Sequence, residues 1–413
     1  MTNTRFPALL ILSSTFLAAG ANGISMVAFP WLVLQRTGNA VDASIVAGAA
    51  TLPLLFATLI AGTAVDFLGR RRVAILSDLL SAAAVTAIPV LAIAFGTDVL
   101  NTLVLAALAA LGNFFDPAGM TARQSMLPEA AAKAGWTRDH TNSVYEAVFN
   151  LAYITGPGIG GLLIATLGGI NTMWVTAGLF GLAILAMAVL RLEGAGRPPR
   201  EKLPDSVVSG VLEGLKFVWH NRVLRTLGLI DLAVTGLYLP MESVLFPKYF
   251  TDRNEPAQLG WVLMALSIGG LIGSLSWTVL SKFSSKRRTV LTAVLTFGIA
   301  VAVIGFLPPL PVILSFATVV GLVYGPIGPI YNSIMQNRTP EELRGRVVGV
   351  MTSMTYAAGP VGFMLAGPLV DTFGLKVTFL VLAVPILVIG LLCPWIPALR
   401  ELDDEPEAQK APA

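Results

Sequence analysis

The chain has 413 residues, of which 55% are hydrophobic and only 12% charged, with a mean hydropathy of +0.76. A soluble globular chain carries roughly 25% charge, so this one has too little polar surface to cover a body facing water. Its solvent is therefore expected to be lipid, where every backbone polar group needs an internal partner. Long apolar runs then read as helices, and the weak alternation argues against a barrel. The formal charge of +3 does not point to nucleic acid, because the basic residues sit in short turns between apolar runs. One cysteine, Cys393, rules out a disulfide framework, and His140 and His220 are too far apart in sequence to suggest a metal cluster.

The first apolar run, Pro7 to about Leu34, is too long for the h-region of a signal peptide and is expected to be retained. A bilayer takes about 20 residues of helix. On that length, spans are predicted at 7–34, 43–66, 72–95, 99–122, 140–167 and 170–191, and again at 223–249, 257–281, 288–307, 311–336, 346–370 and 375–397. The expected organisation is all-α: a six-helix bundle over 1–192, a linker over 193–221, a second bundle over 222–398 and a tail over 399–413. Within the linker, Val207, Val208, Val211, Leu212, Leu215 and Val218 recur at helical spacing, which predicts an amphipathic helix on the membrane surface.

Lys and Arg fix the expected orientation. With both ends cytoplasmic, only Arg36, Lys248, Arg253 and Lys376 of the 27 basic residues lie outside. The two halves echo each other. Gln124 and Pro128 match Gln336 and Pro340, 212 residues on, and Pro117 matches Pro329. Arg71 and Arg72 match Arg287 and Arg288, while Gly161 and Gly168 match Gly367 and Gly374. Paired six-helix halves of this kind rock about a central site.

Between the second and third spans stands Gly62-Thr63-Ala64-Val65-Asp66-Phe67-Leu68-Gly69-Arg70-Arg71-Arg72. Gly62 permits close helix approach, Gly69 a tight turn, and Asp66 is placed to accept hydrogen bonds from a helix N-terminus. Asp78, in the third span, is expected to pair with the arginines of this turn. The stretch resembles motif A of the major facilitator superfamily, and the resemblance extends over nearly the whole chain. It implies that Asp66 latches the inner side in the outward-open state. In the second half Lys282 and Ser285 stand where Asp66 and Gly69 would be, so the latch is expected to be asymmetric.

Gly156-Pro157-Gly158-Ile159-Gly160-Gly161 resembles motif C, a signature of antiporters, although Ala152 replaces its upstream glycine. Phe115-Asp116-Pro117-Ala118 with Arg123, Gln124 and Pro128, together with Arg344-Gly345-Arg346-Val347, is similar to a branch that holds macrolide and Tap-type multidrug exporters. Siderophore exporters and lysophospholipid flippases belong to the same branch. Motif B's mid-span arginine is missing, and Arg123 reads as too near the end of the fourth span to replace it.

Charges at membrane depth are costly and mark function by default. Asp231 lies about nine residues into the seventh span and is the first proton-coupling candidate, a structural hydrogen bond being the alternative. Glu242, beside Pro240 near the outer mouth, is a second candidate, and Glu146 with Asp116 suggests an inner release route. The candidate cavity surface mixes amides, aromatics and methionines: Asn22, Asn113, Phe114, Asn150, Tyr153, Tyr238, Met241, Tyr324, Tyr331, Asn332 and Met335. Such a lining suits amphipathic organic molecules.

Without a Gly-Lys dipeptide the chain has no P-loop, and it carries neither Gly-x-Ser-x-Gly nor His-Glu-x-x-His. The expectation is a cofactor-free, monomeric carrier in a bacterial inner membrane that exchanges protons for drug-like molecules by alternating access. Antibiotic resistance follows from that role. A lipid flippase or siderophore exporter of the same fold is the alternative.

Overall fold

The computed structural model describes residues 5–192, 207–340 and 343–403. Within these, the side chains of 58–64, 66, 67, 138, 139, 142, 143, 207–211, 336, 344 and 345 lie outside the described set. Every regular element among the described residues is a helix.

The first half runs α1 (Phe6–Thr37), α2 (Ala40–Leu68), α3 (Arg70–Phe95), α4 (Thr102–Asn113), α5 (Asp116–Ala134), α6 (Arg138–Leu167) and α7 (Gly169–Val189). Next come α8 (Val207–His220), α9 (Arg222–Pro240), α10 (Phe246–Thr251), α11 (Pro256–Leu280) and α12 (Lys286–Gly305). The chain ends with α13 (Leu310–Tyr324), α14 (Ile327–Arg338), α15 (Arg344–Phe373) and α16 (Leu375–Leu392). Among the described residues, twelve spans, some built from two of these helices, are long and apolar enough to cross a membrane. The protein is a multi-pass membrane protein.

Two spans are broken at matching places. The fourth breaks between Asn113 and Asp116, the tenth between Tyr324 and Ile327, so the internal repeat extends to where helices interrupt. In α5 a proline at the first turn costs nothing, because its missing N–H has no helical partner there. The seventh span continues from α9 into α10 through a π-helical turn, Met241–Leu245.

The fourth span differs from its predicted end at 122: α5 continues to Ala134, where Gly135 (φ 69°) terminates it. Its final turns are polar rather than lipid-like, with Lys133 3.5 Å from Glu129 one turn earlier. The tail expected from residue 399 also starts later. Pro397–Leu402 forms a short 3-10 helix whose Ala398, Leu399 and Leu402 are buried. The linker's first part, 193–206, lies outside the described residues, and the predicted amphipathic segment corresponds to α8. Glu213 of α8 forms an ion pair with Arg346 of α15, while Leu212, Leu215 and Trp219 are exposed.

The chain divides into two compact units, Met1–Leu203 with Ser243–Met264, and Pro204–Glu242 with Ala265–Ala413. Segment 243–264 thus groups with the first unit, where contiguous halves were expected. Inside each unit, helices meet at glycines. In the second, a methyl on Gly321 of α13 would come within 2.0 Å of the Leu266 carbonyl oxygen of α11, and one on Gly269 within 2.1 Å of that of Thr318.

Gly321→Val is therefore expected to force α11 and α13 apart at the cost of overpacking, about 1–3 kcal/mol or more. In detergent it should lower the melting temperature and broaden the size-exclusion peak; an unchanged melting curve would contradict the contact.

Candidate functional site

The motif-A turn is made by Gly69. Its φ of 92° ends α2 and starts α3 in a conformation that side-chain-bearing residues rarely adopt. Arg71 Nη1 donates to the Leu190 carbonyl at the end of α7, 3.0 Å away, tying the turn to the last helix of the half. Arg70 and Arg72 flank it at the start of α3. The side chains of Gly62 and Asp66 have surroundings outside the described residues.

Asp78 does not pair as expected. Its carboxylate Oδ2 accepts from Arg123 Nη2 of α5, and Arg123 Nε donates to Ser14 Oγ of α1 at 3.1 Å. Both charged side chains are almost completely buried, at 2% and 3% exposure. The reason is geometric. Asp78 lies two helical turns into α3, about 12 Å beyond Arg70 at 1.5 Å per residue, and α5, continuing past 122, presents Arg123 at that depth. Arg123 is thus a buried residue inside the span rather than one at its end.

Asp116 occupies the first turn of α5, and Asn22 of α1 donates its Nδ2 to the Asp116 carboxylate at 2.9 Å. Asn113 donates to the Ala50 carbonyl at 3.2 Å. Phe114 packs edge-on against Phe115, and Tyr153 stacks on Phe149 with its hydroxyl 3.7 Å from Met26 Sδ. Asn150 is half-buried on α6, and Glu146, one position after buried Tyr145, is exposed.

In the second unit, Asp231 of α9 is held from two other spans. Tyr324 Oη donates to Oδ1 at 2.8 Å and Thr355 Oγ1 to Oδ2 at 2.6 Å. An aromatic row leads from Tyr324 through Phe297, 5.5 Å between ring centres, to Tyr238 at 5.0 Å. Glu242 follows Tyr238 by one turn, at the start of the π-helical turn. Tyr331 donates to the Leu227 carbonyl at 3.3 Å, and Asn332 is exposed. Met241 and Met335 are 1% and 8% exposed, so both are packed side chains and not open cavity lining as expected.

The glycines of the motif-C stretch serve two faces of α6. A methyl on Gly156 would lie 2.8 Å from Gly23 Cα of α1, and one on Gly160 3.1 Å from Ile24 Cα. On the other face a methyl on Gly161 would meet the Pro256 carbonyl at 2.4 Å, and one on Gly158 the Met264 sulfur at 2.9 Å. Pro157 sits within the same helix, and its carbonyl would be 2.6 Å from a methyl on Gly260.

The second-half turn is completed by residues the sequence did not single out. Ser285 caps α12 by accepting from Arg288 N at 3.2 Å. Asp403, 116 residues away, accepts from Arg287 N at 3.2 Å. Glu401 lies 3.7 Å from Arg222, and its backbone carbonyl accepts from Arg338. No sequence signal marks Asp403; Thr355 was findable only as a hydroxyl inside an apolar span. Among the described residues no group of three or more His, Cys, Asp or Glu is arranged to hold a metal.

The Major Facilitator Superfamily model matches residues 11–359 and again 241–412. The chain is 67% identical over 404 residues to the multidrug efflux pump Tap of Mycolicibacterium fortuitum, covering 98% of this chain and 99% of that one. The chain belongs to the major facilitator superfamily. A Tap pump of Mycobacterium tuberculosis is 63% identical over 406 residues (98% and 97% covered), and macrolide efflux protein A of Streptococcus pyogenes 22% over 391 (92% and 94%). Among solved structures, nucleoside transporter NupG superposes with a TM-score of 0.78 at 11% identity, over 95% of this chain and 100% of that one, which supports the superfamily fold alone.

Within that fold, the capping role of Asp403 is open to measurement. Asp403→Ala is expected to destabilise α12 by about 0.5–2 kcal/mol, the usual worth of a helix cap, read as a lower melting temperature in detergent. Asp403→Asn, which keeps an acceptor oxygen, should recover most of the loss.

Proposed function

We propose that the protein exports amphipathic, drug-like small molecules across the bacterial inner membrane by proton antiport with alternating access. The observation that carries the coupling is Asp231: a carboxylate inside a span, held by the neutral hydroxyls of Tyr324 and Thr355 from two other spans. Hydroxyls donate to a carboxylate and accept from a carboxylic acid, so this cradle serves either protonation state. The aromatic row from Tyr324 to Tyr238, with Glu242 one turn beyond, supports a route from the outer mouth to Asp231. Asp116 and Glu146 serve release on the inner side.

The Tap relatives are multidrug efflux pumps, which supports the substrate class, and their match covers nearly all of both chains. The antiporter-type motif C supports the direction. Substrate enters from the cytoplasm or the inner leaflet, protons enter from outside, and the turn of Asp66 and Arg70–Arg72 governs the inner gate. The protein acts as a monomer without a cofactor, among lipids, with both ends cytoplasmic, as the distribution of Lys and Arg supports.

Uptake of ethidium into inverted vesicles should accelerate when the lumen is made acidic, and Asp231→Asn should abolish the gradient-driven component while leaving the protein folded. A mutant as gradient-sensitive as wild type would remove Asp231 from the mechanism, and an indifferent wild type would remove proton coupling. For orientation, Lys202→Cys in a Cys393→Ala background should resist a membrane-impermeant maleimide in intact cells and react after permeabilisation.

A further inference from the structure

The two basic turns of the chain hold their charge differently. The first has an acid of its own, Asp66, and Arg71 is tied to the Leu190 carbonyl. The second joins α11, which ends at Leu280, to α12, which begins at Lys286. From 280 to 290 it holds Lys282, Lys286, Arg287 and Arg288 and no acid, since Lys282 stands where the first copy has Asp66. Both flanking helices are long and apolar enough to cross a membrane, which sets the turn between them at headgroup depth.

The polar groups around this turn are engaged elsewhere. Asp403 accepts from the Arg287 backbone N–H, and the Arg287 guanidinium donates to the Pro394 carbonyl at 3.5 Å. Ser285 accepts from Arg288 N, the Ser284 hydroxyl accepts from Thr289 at 3.0 Å, and Glu401 lies 3.7 Å from Arg222. The side chains of Lys282, Lys286 and Arg288 have no ion pair or hydrogen bond among the described residues. Like charges so close together repel, and an anion placed among them lowers the energy of the turn.

An apolar track leads away from these cations. Phe283, 78% exposed, stands inside the cluster. Behind it on α11, Val279, Leu275, Ile272 and Ile268 are exposed at spacings of three or four residues, which puts them on one stripe. Gly269 and Gly273 press on α13, so that seam uses another face of the helix. A cationic end on a long apolar stripe complements an amphiphile with an anionic head, where a free anion would use the cations alone.

From this arrangement we infer that the turn over 281–288 is a docking surface for an anionic phospholipid. The headgroup phosphodiester lies among Lys282, Lys286 and Arg288, and an acyl chain runs from Phe283 along the α11 stripe. Basic clusters directly beside a span attract lipids of this charge. The inference is independent of proton antiport, and the orientation with both ends cytoplasmic serves only to make this leaflet the inner one.

The test uses the full-length protein in phosphatidylcholine nanodiscs that carry a minor fraction of phosphatidylglycerol with a diazirine on its acyl chain. After illumination, adducts are located and counted by mass spectrometry. They are expected between Ile268 and Phe283. Unlabelled phosphatidylglycerol should displace them, and neither added phosphatidylcholine nor inorganic phosphate should. In Lys282→Gln/Arg288→Gln the yield below saturation should fall about fivefold for each charge removed, the equivalent of about 1 kcal/mol per cation. Lys216→Gln, which neutralises an exposed cation of α8, should leave it unchanged.

Displacement by inorganic phosphate would make this a site for a free anion, and equal displacement by phosphatidylcholine would leave the charge without a role. Equal losses in Lys216→Gln and in the double variant would reduce the effect to general attraction to the membrane. A rise in yield when the chain is ended at Asp403 would give the turn to the acidic tail, with Asp404, Glu405 and Glu407. Each of these, or no adduct on the stripe, overturns the inference. If the double variant does not fold, the displacement series on wild type decides. No gradient or transport enters the measurement, so it and the vesicle assay of Asp231 can fail separately.

Discussion

Helices in lipid gain little by hiding apolar surface from one another, because the surrounding tails are as apolar as leucine. What holds them is close backbone contact, and that requires residues without side chains. The seam between α9 and α15 illustrates the dependence. Gly236 and Gly362 bring the two backbones together, a methyl on Gly362 falling 2.0 Å from the Gly236 carbonyl. Two turns earlier on α15 the same face carries Thr355, which reaches Asp231. Likewise Gly23 seats α1 on α6, and the adjacent Asn22 reaches Asp116. Polar chemistry in each unit hangs on a glycine contact within one to two turns of it.

The two units hold their buried acids by different means. In the first, Asp78 is neutralised by a guanidinium, an arrangement that fixes charge because arginine does not give up its proton. In the second, Asp231 accepts from the hydroxyls of Tyr324 and Thr355, which carry no charge. Internal repetition thus preserved helix breaks and turns while the electrostatics diverged, consistent with the loss of an acid at Lys282 in the second copy of the basic turn.

Bilayer length and apolar composition made all twelve spans readable, because lipid allows little else. Gly69 was readable for a similar reason: so short a connection needs a backbone that few residues adopt. The pairing of Asp78 was not. Span length fixes depth only to within a turn or two, and a partner choice turns on less than that. Counting apolar residues ended the fourth span at 122, which set Arg123 at the surface, whereas the helix continues through polar turns that a hydropathy count discards. Met241 and Met335 were misread because a methionine packs and lines equally well. Which face a helix turns inward is decided by its neighbours.

The bond from Asp403 to the start of α12 also bears on how the chain is made. The helix it caps leaves the ribosome 116 residues before its cap does. At 5–20 residues per second, that is a delay of roughly 6 to 23 s. During that interval the first N–H groups of α12 rely on Ser285 and water. A nascent chain stalled between the end of α12 and Asp403 therefore holds a ninth span whose Arg287 N–H still lacks its side-chain acceptor.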